Sequence, residues 1–357
     1  MDLTAYLDQC RNWVRDELQT MLPSDSTRTG GLYKLMLNYP LRYGKALRPA
    51  LSIAVCRARG GSLSAVLPTA AVLELYHNAF LVHDDVEDQS TMRRSEPTLY
   101  RQYGLPIAVN VGDGMLAVAI EPLLDNIERV GLGKSLKILR IISRMARETA
   151  EGQMIELDWV RSANWVHDDA DYTRLVHKKS GWYSFIAPIM VGAVAAGLSD
   201  AEVTRLGRMA IPLGIAFQIQ DDILNLSANS ETYGKDSCGD LWEGKHTLVL
   251  IHALRAATPC DKSKALAILR KPQSATTRLL RQVGDAVHEV EPKSQADIDF
   301  LRRLIDHSGS IPYAWARARN YAGRFKRDLD PLCETWPPSS HRNFLQELAD
   351  FTINRAI

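Results

Sequence analysis

Cysteine is scarce and unpatterned in this sequence. Five occur in 357 residues (Cys10, Cys56, Cys238, Cys260 and Cys333), an odd number with no metal-ligand spacing. That excludes a disulfide framework and a cysteine–zinc site, and leads us to expect reduced thiols in a cytoplasmic protein. An excess of one charge is missing too. Lys and Arg total 43 against 42 Asp and Glu, a formal net charge of +1, which offers no electrostatic footprint for nucleic acid or an anionic membrane surface. The longest apolar run, near Ile186–Leu198, falls short of the about 20 residues that span a bilayer. Met1-Asp2-Leu3-Thr4 lacks the basic start and apolar core of a signal peptide. No stable membrane insertion is expected. Period-two alternation and β-branched runs are few, which argues against sheets. No repeat, low-complexity tract or Pro/Gly/Ser-rich linker marks a boundary, so residues 1–357 read as a single all-α domain.

What is present is helical. Residues 2–21 read as an amphipathic helix stopped at Pro23, followed by a polar loop over 23–31 and a short helix over 32–39 ended by Pro40. A buried helix over 48–59 carries Pro49 in its first turn, and Ser64 is the expected cap of a long helix running to Asp88. Further helices are expected over 115–129, after the glycines at 112 and 114, and over 134–157, 171–197, 201–226 and 245–257. Gly181, Pro188 and Pro212 are expected kinks or bends. The last hundred residues add helices near 263–270, 275–291, 295–307, 310–328 and 340–355.

One stretch organises the rest. Residues 73–88 are apolar until they end in four acids, Asp84, Asp85, Glu87 and Asp88. On a helix Asp84 and Asp88 stack one turn apart with Asp85 alongside, and like charges at that spacing repel. They also sit at a helix C-terminus, where the macrodipole disfavours negative charge. A solvated acidic helix end is the plain alternative. A hard divalent cation removes both penalties, and Mg²⁺ suits one or two carboxylates completed by water and phosphate oxygens. A second apolar stretch, Phe217-Gln218-Ile219-Gln220-Asp221-Asp222-Ile223-Leu224-Asn225, repeats the idea. Two such helices suggest facing metal-binding walls inside a bundle.

Matching cations imply a polyanionic ligand. Lys45 and Arg48 lie one turn apart at a helix start, where backbone N–H groups favour anions. Arg93 and Arg94 return by a short loop to the first acids. Lys179 interrupts an apolar helix, and Lys235 and Lys245 follow the second acids. Each alone is more often a solvated charge, and His77, off the metal face, is more often a packed core histidine. Together they outline a cage of cations and Mg²⁺ over an apolar bundle, suited to a diphosphate head on a hydrocarbon tail.

Over roughly residues 40–250 these motifs resemble, in order, those of the trans-isoprenyl diphosphate synthase (polyprenyl synthetase) family. His83-Asp84-Asp85-Val86-Glu87-Asp88 resembles its first aspartate-rich motif and Gln218 to Asn225 its second. The resemblance implies Asp84, Asp85, Asp88, Asp221, Asp222 and Asn225 as Mg²⁺ ligands. It implies Lys45, Arg48, His77 and Arg94 for isopentenyl diphosphate. For the allylic diphosphate it implies Arg93, Lys179, Ser180, Gln218, Lys235 and Lys245. It further implies an isoprenoid-synthase helical bundle around a central cavity, several Mg²⁺ ions and a homodimer. Phe80 and Tyr76, four and eight residues before Asp84, share a face about 6 and 12 Å down the helix. They are ordinary core aromatics or a floor that stops growth at C15 to C20. The departures are Asn225 for Asp, Ser95 for a glycine, Ala46 for an arginine and Glu156 for Asp. Two other readings stay open: a class I terpene cyclase, which would need no isopentenyl diphosphate site, and a non-catalytic subunit, which would be expected to lose an acid of the first motif.

Overall fold

Asp2 starts the first helix, Leu3–Met21, by accepting a hydrogen bond from the Ala5 amide at 2.7 Å. In the computed structural model, residues 2–23, 29–227, 238–273 and 291–354 are described. Lys235 and residues 275–290 of the helix expected over 275–291 lie outside them. Among the described residues the only strands are Met92–Arg93 and Glu96–Pro97, a two-stranded antiparallel turn. Everything else regular is helical, so the all-α reading holds.

Several boundaries differ from the sequence reading. The segment over 32–39 divides into Leu32–Met36 and Asn38–Leu41, with Pro40 inside the second piece. The buried helix is Leu47–Ala58. Ser62, not Ser64, caps the long helix Leu63–Glu87, accepting from Ala65 N at 3.1 Å. The stretch around Gly112 and Gly114 is not a lead-in but part of a helix, Leu105–Val118, followed by Ile120–Val130. The glycine is needed for approach: a Cβ on Gly112 would stand 2.3 Å from the His83 ring. The next helix extends over Leu132–Ser162.

Asp169–Val176 and Ala187–Ala195 do not join through a kink at Pro188. Ten residues between them, His177–Ile186, form a π-helix, and Pro188 is the second residue of the α-helix that continues directly from it. The second acidic helix is Asp200–Ser227 and carries Pro212 internally. After Gly239–Glu243 come Leu248–Ala256, Pro259–Leu269, Gln295–His307, Ser310–Glu334 and Ser340–Asn354.

Two hydrophobic cores hold these helices. One gathers Leu51, Leu73, Leu75, Phe185 and Phe344, and the other Ile219, Val249, Leu250, Leu301 and Ile305. Ile211 of the second acidic helix packs against both. That helix therefore fixes the second aspartate pair relative to the first, across the cavity that both helices line.

Candidate active site

The cavity has a volume of about 940 Å³, and carboxylates line it from both acidic helices. On the first helix, Asp84 faces the space and Asp85 is turned away, 1% exposed. Asp85 accepts from Arg93 Nε at 3.0 Å and from a terminal guanidinium nitrogen of Arg93, while its other oxygen accepts from Tyr39 Oη at 2.7 Å. Both its oxygens are engaged, so Asp85, expected as a metal ligand, is an anchor in this structure. Burial opposes the Arg93 charge, but Asp85 outweighs it and holds the guanidinium above its ordinary pKa. Asp88 meets Lys245 Nζ at 2.5 Å. Burial and the neighbouring Glu243 carboxylate raise the Asp88 pKa against the pull of Lys245.

The second helix divides its pair less sharply. Asp221 and Asp222 both line the cavity, and Asp222, 5% exposed, is also clasped. Asp222 accepts from Tyr172 Oη at 2.7 Å and from Gln218 Nε2 at 2.9 Å. Burial and Asp240 raise its pKa well above the carboxylate range. Asn225 accepts from the Asp240 amide at 3.2 Å, and both residues line the cavity.

Lys179 stands between the walls. It lies 3.3 Å from Asp84 and forms an ion pair with Glu156. Burial works against its charge, yet Glu156 and Asp84 win and raise its pKa. Its place depends on Gly152, where a Cβ would fall 2.3 Å from Lys179 N. Bare glycine lets the helix Leu132–Ser162 come against the π-helix, and one turn on, Glu156 reaches the lysine. In the same segment Gln153 donates to Glu87 at 2.5 Å, tying this helix to the first acid motif. Ser180 donates to Gln218 at 2.7 Å.

The basic side is built on Asn38–Leu41 and the residues after it. Buried Arg42 donates to the carbonyls of Arg93 at 2.8 Å and Pro97 at 2.9 Å, holding the turn that carries the arginine pair. Arg94 donates to the Tyr39 carbonyl at 2.7 Å. A Cβ on Gly44 would press the Arg94 guanidinium at 2.9 Å. Arg94 and Ser95 both adopt left-handed backbone, with φ of 54° and 63°; Ser95 thus occupies a conformation that suits glycine better. Arg48 donates to Ser184 at 2.8 Å and lies over the Tyr183 ring at 4.5 Å. His77 stacks on the same ring, 5.7 Å between centroids, and burial together with Arg48 lowers its pKa well below the usual value. It is therefore a neutral wall residue. Lys45 is exposed at the cavity edge, its ammonium 5.6 Å from the Phe351 ring of the last helix.

The donor set fits a hard cation. It consists of carboxylate and amide oxygens, with no sulfur. Among the described residues no three His, Cys, Asp or Glu side chains converge into a metal-holding group.

The polyprenyl synthetase family profile matches residues 31–286. The geranylgeranyl diphosphate synthase of Methanosarcina mazei is 30% identical over 358 residues, covering 99% of each chain. The short chain isoprenyl diphosphate synthase of Methanocaldococcus jannaschii is 33% identical over 72% of this chain and 75% of its own. A polyprenyl synthase from Caulobacter crescentus, crystallised with calcium and isoprenyl diphosphate, superposes with a TM-score of 0.81 at 29% identity, covering 99% of this chain and 97% of its own. The chain belongs to the polyprenyl synthetase family. It is a prenyltransferase with the all-α isoprenoid synthase fold.

In this polyprenyl synthetase the cavity wall brings together Lys45, Arg48, His77, Arg93, Arg94, Lys179, Ser180, Gln218 and Lys245 with Asp84, Asp221, Asp222 and Asn225. Phe80 also lines it, edge-on to Tyr183 at 5.5 Å. Tyr76, expected beside it as floor, is not on the wall; it packs behind Phe80 at 5.9 Å. Sequence reasoning missed Tyr39, Tyr172, Tyr183, Asp240 and Glu243. Asp240 and Glu243 stand in the segment between Lys235 and Lys245 and could have been found by asking what neutralises those lysines. The tyrosines stand in no motif and carry no local signal.

Proposed function

We propose that this prenyltransferase condenses isopentenyl diphosphate with an allylic prenyl diphosphate and releases a C15 to C20 prenyl diphosphate. The observation that carries the reading is one cavity with two acid walls, two separate groups of cations and an apolar end at Phe80. Asp84 and Asp88 on one side, and Asp221 with Asn225 on the other, would hold Mg²⁺, which supplies charge neutralisation to the leaving diphosphate. Arg93 and Lys179, both on the cavity wall beside Asp84, would stabilise the departing charge in a water-poor site. Lys45, Arg48 and Arg94 hold the second diphosphate, so its double bond meets the allylic carbon in a fixed orientation. Neutral His77 stacks on Tyr183 beside Arg48. No side chain there is an obvious proton acceptor, and the departing pyrophosphate serves for the closing elimination.

We further propose that the enzyme works as a homodimer. Ile120, Leu124 and Ile127 form one stripe on a helix and are 51%, 50% and 42% exposed. Leu132 and Leu136, on the next helix, are exposed as well. Residues 105–130 are apolar enough for a membrane span by length and composition, but interrupted by a break at Ala119. We assign the stripe to a homodimer of a cytoplasmic enzyme.

The test is a product assay. Purified protein with Mg²⁺ receives isopentenyl diphosphate and, separately, dimethylallyl, geranyl and farnesyl diphosphates, and the products are sized after phosphatase treatment. Elongated prenyl alcohols of 15 to 20 carbons are expected. Hydrocarbon release without isopentenyl diphosphate would mean a cyclase, and no turnover with any primer a partner-dependent subunit.

A further inference from the structure

In each aspartate pair one nearly buried member is clasped by a tyrosine, and the clasps are alike; Asp85 lies off the cavity wall, whereas Asp222 also reaches it. Tyr39, from Asn38–Leu41, donates its hydroxyl to Asp85 at 2.7 Å; Tyr172, from Asp169–Val176, donates to Asp222 at 2.7 Å. Both phenols are buried, at 0% and 2% exposure, and burial and the adjacent aspartate keep both protonated. Each clasped aspartate accepts a second donor that itself lines the cavity: Arg93 on Asp85, and Gln218 on Asp222. Gln218 passes the constraint on by accepting from Ser180. Tyr39 is fixed in turn, since its hydroxyl accepts from the Leu99 amide at 3.0 Å. Two unrelated segments thus arrive at one arrangement, a phenol on an inner aspartate on a ligand-facing donor.

We propose that Tyr39 and Tyr172 are matched positioning residues. Each locks the inner aspartate of one motif, which aims Arg93 or Gln218 into the cavity and leaves Asp84 or Asp221 to face the ligand. Tyr39 stands off the cavity wall, and Tyr172 reaches it beside Asp222, its hydroxyl committed to that carboxylate. A carboxylate with a single partner can swing about its side-chain torsions, and one held by donors on both oxygens cannot. Hydrogen bonds behind ligand-binding groups commonly change affinity by roughly 10–100-fold.

This inference rests on reading Arg93 as a diphosphate-binding group. The experiment therefore compares Tyr39→Phe, Tyr172→Phe, Arg93→Lys and the double variant Y39F/R93K. Each is followed by steady-state kinetics and by calorimetric binding of inorganic pyrophosphate with Mg²⁺. We expect Tyr39→Phe to raise the allylic KM by roughly tenfold while kcat falls less, and to add little in the Arg93→Lys background. Tyr172→Phe should weaken pyrophosphate binding by a similar factor. Wild-type KM and wild-type pyrophosphate affinity in both phenylalanine variants, with Arg93→Lys impaired, would overturn the proposal alone. An unchanged KM in Arg93→Lys would overturn the reading of Arg93 and the proposal with it. Should Tyr39→Phe fail to fold, Tyr172→Phe decides by the same binding measurement.

Discussion

Phe80 lines the cavity, and Tyr76 stands one turn behind it, off the wall. One helical turn is about 5.4 Å. Replacing Phe80 by Ala should open that length and shift the product distribution upward by an isoprene unit or more, measured by sizing the dephosphorylated alcohols. Tyr76→Ala alone should leave the product unchanged, because Phe80 and Tyr183 still meet edge-on at 5.5 Å. A longer product from Tyr76→Ala would mean that the floor lies deeper. Ser95 makes a different claim. Its φ of 63° is left-handed, a region that costs an L-residue about 1–2 kcal/mol and a β-branched one most. Ser95→Val should lower stability by at least about 1 kcal/mol in denaturant unfolding and weaken isopentenyl diphosphate binding through Arg94, whereas Ser95→Gly should do neither.

Among the elements, the contact of Leu132–Ser162 with His177–Ile186 decides where Lys179 stands. Gly152→Ala would drive a Cβ to 2.3 Å of the Lys179 backbone, so one element must move. Overpacking of this kind costs about 1–3 kcal/mol. The displacement should lower kcat/KM by roughly a hundredfold, since small misplacements of catalytic groups are amplified. Activity at the wild-type level would show that Lys179 tolerates the shift. Most helices here were legible because their apolar spacing and caps are local signals. The two aspartate pairs and their cations were legible for the same reason. The π-helix was not: i to i+5 bonding leaves the composition of an apolar helix unchanged, and Gly181 and Pro188 read as kinks. The role of Asp85 was hidden as well. Its neighbours in sequence suggested a ligand, and its partners, Tyr39 and Arg93, come from 46 residues before and 8 after.

For the molecule as a whole, the apolar stripe predicts association. Leu124→Glu with Ile127→Lys should convert a dimer to a monomer by sedimentation. A wild-type monomer that binds vesicles would instead assign the stripe to a membrane. Stability should also depend on pH through buried histidine. His246 is stacked on Trp165 at 3.6 Å, and burial, with His167, lowers its pKa to about 3. A depressed histidine pKa leaves stability intact above the unfolded value, near 6.5. Protonation of the unfolded chain then removes it as pH falls toward 3, by up to about 1.4 kcal/mol per unit. His246→Phe keeps the stack and removes the proton site. The wild type should therefore lose stability faster than this variant between pH 6 and 4, read from denaturant midpoints, and parallel curves would show that His246 does not contribute.

The wide turns of His177–Ile186 pack extra backbone between two ordinary helices, Asp169–Val176 and Ala187–Ala195. In terms of chain length, the segment behaves as an insertion whose surplus is spent entirely on where Lys179 and Ser180 point. A helix turns about 100° per residue. Deleting a single residue here would let the turns relax to α-helix, leave the flanking helices in their packing and swing the lysine off the acid walls. The same deletion in Leu63–Glu87, which has no slack, would instead rotate one end of a core helix out of register. Tolerance to a one-residue deletion thus separates folding from catalysis: in the π-helix the protein should survive as a folded, inactive chain, and in Leu63–Glu87 it should not fold.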